Sequence, residues 1–113
     1  MLITALVLFA IAAIGGLILA TNHFRKKDLP MPLALIHGLV AAIALVLVLI
    51  AILAGNGSSL VITALVLFVI VALGGFVLFS NHLRGKALPS GLVGIHAVVA
   101  VSGFVVLLIG IAF

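Results

Sequence analysis

The chain has 113 residues, 68% of them hydrophobic and 5% charged, with a formal net charge of +4 and a mean hydropathy of +1.77. So little polar surface could not clothe a water-soluble globule, in which about a quarter of residues are charged. Cysteine is absent, which excludes disulfides, thiolate metal sites and cysteine nucleophiles, and Trp and Tyr are absent too, so charge rather than an aromatic belt must set orientation.

The first apolar run, Leu2–Ala20, is close to the ~20 residues a helix needs to cross a hydrocarbon core. No basic stretch precedes it and no convincing cleavage site follows, so it is expected to be a retained span rather than a signal peptide. Thr21–Met31 is polar and basic, carries Arg25, Lys26 and Lys27 beside the only acid, Asp28, and closes on Leu29–Pro30. The second run, Leu33–Ala54, ends at the uncharged turn GNGSS, Gly55–Ser59. A third run, Leu60–Phe79, leads into a second basic segment, Ser80–Ser90, with Arg84, Lys86 and again a closing Leu88–Pro89. The last run is Leu92–Phe113. Helix is the required conformation, because lipid offers backbone N–H and C=O groups no partner and nothing alternates like a barrel strand.

Every Lys and Arg lies in the two short loops. The positive-inside rule therefore places both loops in the cytoplasm, with both termini and the GNGSS turn on the other side of what is expected to be a bacterial inner membrane. Five cations on two short loops are too few for nucleic acid, so the lipid bilayer is the expected surrounding.

The two halves match at an offset of 59 residues, as from Ile3 to Ile62. ITALVLF recurs at Ile3–Phe9 and Ile62–Phe68; Gly15–Gly16 matches Gly74–Gly75, Asn22–His23 matches Asn81–His82, and Ile36–His37 matches Ile95–His96. Arg25, Lys27, Leu29 and Pro30 likewise match Arg84, Lys86, Leu88 and Pro89. This is a tandem duplication, with repeat 1 at 1–54 and repeat 2 at 60–113. Each copy holds two spans and so enters with the same orientation. The expected fold is an all-α, single-domain four-helix bundle with a pseudo-twofold axis along the membrane normal.

No carboxylate, Lys or Arg lies inside a span, which removes most ion-coupled transport mechanisms. The chain has the size of small multidrug exporters but lacks the glutamate they need in the first helix. No catalytic constellation is present, and an enzyme is not expected. Histidine remains. His23 and His82 fall at the cytoplasmic ends of helices 1 and 3, where an interfacial role is the plain alternative. His37 and His96 fall roughly 9 Å inside helices 2 and 4, where an imidazole needs a partner and should face the interior. Ala41 and Ala44 follow His37 on its face, Ala100 and Gly103 follow His96, and Gly16 and Gly75 lie about two turns before His23 and His82. Small residues could be a packing seam or could make room for a flat macrocycle.

Haem b accounts for both the imidazoles and the small residues. His37 and His96, on diagonal helices, would be axial ligands to iron; His23, His82, Arg25 and Arg84 would ring the cytoplasmic edge near the propionates; Gly16 and Gly75 would face the macrocycle. In this the chain resembles the four-helix bis-histidine core of membrane b-type cytochromes. That resemblance implies electron transfer near the cytoplasmic leaflet, to or from quinone or a larger redox complex, with one haem or two crowded ones, His23 and His82 then serving as a second pair so that each haem takes one outer and one inner histidine. All four histidines share one leaflet, unlike the stacked haems of that family, which speaks against a wire across the membrane. Two alternatives stand beside it: a histidine site for Zn, Cu or Fe, and a structural accessory subunit or homo-oligomer without a cofactor.

Overall fold

A computed structural model describes residues 1–113 and contains helices and turns only. Its helices are α1 (Leu2–Phe24), α2 (Met31–Ala51), α3 (Ser59–Leu83) and α4 (Ser90–Ala112). All four are long and apolar enough to cross a membrane. The fold is the expected all-α four-helix bundle, 43 Å long and 22 by 19 Å across.

Helices α1 and α3 run past their apolar stretches, so His23 and His82 occupy their last turns. Both then stop by the same device. Lys27 N–H bonds Asn22 C=O at 2.8 Å and Lys26 N–H bonds His23 C=O at 3.1 Å; in the second copy Lys86 and Gly85 do the same to Asn81 and His82 at 2.9 and 3.2 Å. This double closure is the Schellman motif, which needs a left-handed residue just after the helix. Gly85 supplies it at φ 66°, whereas Lys26 adopts φ 58° with a side chain attached. Pro30 and Pro89, both extended, start α2 and α4.

The turn between the repeats departs from the expected GNGSS loop. Ile52–Asn56 winds as one wider π turn with Gly55 at φ 96°. Ser58 Oγ then accepts the N–H of Val61 at 3.2 Å, capping α3.

Hairpins α1–α2 and α3–α4 pack most extensively within themselves and meet along two seams, α1–α4 and α2–α3. Helices α2 and α4 are thus diagonal. Repeat equivalents face each other at the centre: Phe9 stacks on Phe68 with ring centres 3.8 Å apart and planes 6° from parallel. They belong to a core of Ala5, Phe9, Ala44, Val48, Val61, Ala64, Phe68 and Leu107, in the half nearer the termini. Outside, large apolar side chains stand free, Leu17 at 68% and Phe76 at 71% exposure. That surface suits lipid, where burying apolar groups against protein brings no hydrophobic gain.

Candidate functional site

The other half of the interior belongs to histidine. From α2, the His37 ring reaches α1, where its Nδ1 lies 2.7 Å from the carbonyl oxygen of Ala12. A carbonyl only accepts, so Nδ1 carries a proton, and in the neutral ring that leaves the lone pair on Nε2, the arrangement found where histidine binds metal. The ring lies on the backbone of Gly16: a Cβ there would come within 2.8 Å of His37 Cε1, while one on Gly15 would make only ordinary contact at 3.7 Å. Gly16 is therefore a notch cut for an imidazole.

The second copy repeats this with a difference. From α4, His96 lies over Gly75, where a Cβ would sit 3.2 Å from its Cε1. The Val71 carbonyl, repeat equivalent of Ala12, faces His96 but does not complete the bond, and Nδ1 is left buried without a partner. The two rings meet across the axis, centres 6.4 Å apart and planes at 71°.

The outer histidines are not equivalent either. His23 Nε2 shares a 3.0 Å hydrogen bond with Ser90 Oγ across the α1–α4 seam. The repeat equivalent of Ser90 is Met31, which gives His82 no such partner; His82 instead lies edge-on to Phe79 at 6.4 Å. Arg25 and Arg84 are exposed at the same end of the bundle.

The structure brings His37 and His96 together with Gly16 and Gly75, and it leaves His23 and His82 apart from them at the rim. No group of three or more potential ligand side chains forms. Small residues below the inner pair do not enclose open space: Ala44 and Gly103 are buried, and the Phe68 ring would stand 3.2 Å from a Cβ on Gly103. An outward groove beside His37, between α1 and α2, measures about 200 Å³, below the ~300–1,000 Å³ of pockets that enclose a drug-sized ligand.

Haem can be tested against these distances. Two imidazoles on opposite sides of one metal ion, at metal–nitrogen distances of about 2.0–2.1 Å, have ring centres roughly 6 Å apart, and the two rings here are 6.4 Å apart. The glycine notches hold the imidazoles themselves, so a macrocycle requires both rings to turn off Gly16 and Gly75.

The chain matches no family model, and no curated protein or solved structure shows significant similarity to it. Four residues of the interior and rim lie outside the expected site. The Ala12 carbonyl leaves no residue-type signal. Ser90 is visible only as the polar residue opposite Met31 in the repeat. Phe9 and Phe68 are visible as repeat equivalents, which must meet if they lie on the axis.

Proposed function

We propose that the chain is a small integral membrane haem b protein, in which His37 and His96 would hold the iron, and that it passes electrons near the cytoplasmic leaflet. The observation that carries this reading is that two repeat-equivalent imidazoles, His37 and His96, meet in the bundle interior. When bound, haem would supply one-electron redox chemistry, with quinone or a larger redox complex as exchange partner. The chain's own parts do the rest. With its ring on Gly16, His37 gives its Nδ1 proton to Ala12 C=O; a haem would draw the ring off this contact and take it as a donor. Apolar helices exclude water. Arg25 and Arg84, exposed at the basic end, offer charge to propionates, with His23 and His82 beside them.

Basic loops facing the cytoplasm and termini facing outward complete the proposed arrangement, motivated by five cations confined to one end. A cofactor-free accessory subunit is the second reading, favoured by the fit of both imidazoles into the glycine notches. A bis-imidazole site for Zn, Cu or Fe is the third. The absorption spectrum of detergent-purified protein separates them. Haem gives a Soret band, lost as a low-spin species in His37→Ala or His96→Ala and retained with a shifted potential in His23→Ala or His82→Ala. No Soret band with stoichiometric metal would favour the metal site, and neither would leave the accessory role.

A further inference from the structure

The two contacts on the bundle axis, Phe9 on Phe68 and His37 facing His96, join residues that the duplication makes equivalent. A surface that meets its own equivalent across a twofold axis is isologous, the geometry by which identical subunits dimerise. Each hairpin therefore presents an inner face complementary to the other hairpin, whichever chain supplies it. The hairpins also hold together internally more extensively than they hold each other. Between them runs only the short segment Ile52–Ser58, with its π turn, Gly55 at φ 96° and an unwound Gly57.

We propose that the partner recognised by this inner face is a second copy of the chain. Two chains exchange hairpins to form a dimer of two complete bundles, in which His37 of one chain faces His96 of the other. Closed and exchanged forms make the same helix contacts. Their balance is set by the strain of the connecting turn and by chain density in the bilayer, and each imidazole pair in the exchanged form is shared between chains. This goes beyond the haem reading and does not depend on it, because the axis contacts exist whatever the imidazoles bind.

The chain has no cysteine, so disulfide trapping has no background. Full-length Phe9→Cys and Phe68→Cys chains are expressed separately and together, and oxidised in the membrane. Exchange predicts a disulfide-linked dimer from the mixture and none from either alone, with the linked fraction rising with chain-to-lipid ratio. His23→Cys with Ser90→Cys, replacing the 3.0 Å contact of the α1–α4 seam, gives the same test without touching the core. Leu17→Cys with Phe76→Cys, at equivalent outward positions 68% and 71% exposed, measures random collision. The proposal is overturned if both mixtures link no more than this control while the double variant Phe9→Cys/Phe68→Cys closes its disulfide within one chain.

Discussion

Replacing Gly16 by alanine separates the imidazole notch from ordinary helix packing, because Gly15 next to it is an internal control. In both positions alanine gains about 0.5–1 kcal/mol from reduced chain entropy. At Gly15 the new methyl meets His37 Cβ at 3.7 Å, ordinary contact, so Gly15→Ala should be neutral or stabilising. At Gly16 the methyl would stand 2.8 Å from His37 Cε1. The ring must then move, adding about 1–3 kcal/mol of overpacking strain. It also gives up the 2.7 Å bond to Ala12 C=O, worth about 0.5–1.5 kcal/mol. After the entropy gain, Gly16→Ala should lose about 0.5–4 kcal/mol. Gly75→Ala should lose less, since its methyl would sit 3.2 Å from His96 Cε1 and His96 Nδ1 has no bond to break. Reversible unfolding in mixed micelles, followed by circular dichroism against SDS fraction, gives the differences. If Gly16→Ala proves as stable as Gly15→Ala, Gly16 is not a notch for the His37 ring.

The Schellman turn offers another comparison: Lys26→Gly should stabilise the fold by about 0.5–1 kcal/mol by relieving a left-handed lysine, and Gly85→Ala should cost about the same, read in the same titration. The α1–α4 seam should lose no more than about 1 kcal/mol in Ser90→Ala, while Met31→Ser should give His82 the partner that His23 has; the imidazole NMR chemical shifts of His23 and His82 would report each change. In intact cells, a membrane-impermeant thiol reagent should modify Ser58→Cys and spare Lys26→Cys, and the reverse pattern would invert the proposed orientation.

The helices, their order and the duplication could be read from the chain because apolar length and repeated letters are local properties. So could the diagonal placement of His37 and His96, which follows once four short-looped helices alternate in direction. What fills a notch could not be read. The period of α1 puts Gly16 beneath His23 on one face, suggesting a shared cavity, yet the group lying on Gly16 is His37 from the neighbouring helix. Spacing along one helix says which residues share a face; it says nothing of the side chain that arrives from the next. Helices apolar on every side give little further guidance, and the core chose Ala5, Phe9, Ala64 and Phe68 by fit between small and large residues rather than by polarity. The π turn at Ile52–Asn56 escaped for a related reason: Gly-Asn-Gly promises a reversal without saying how the preceding helix unwinds.

Fusing the two hairpins into one polypeptide has an evolutionary consequence. In a dimer of identical hairpins every substitution would be made twice, so a change good for one side of the bundle would be imposed on the other. Here the sides have drifted independently. Ser90 ties one seam to His23 while Met31 leaves the other open, and Phe68 rests on Gly103 where the first copy has Ala44. One flank can thus be adapted to a neighbour or a ligand route without disturbing its twin, a freedom that a gene encoding a single hairpin would not have.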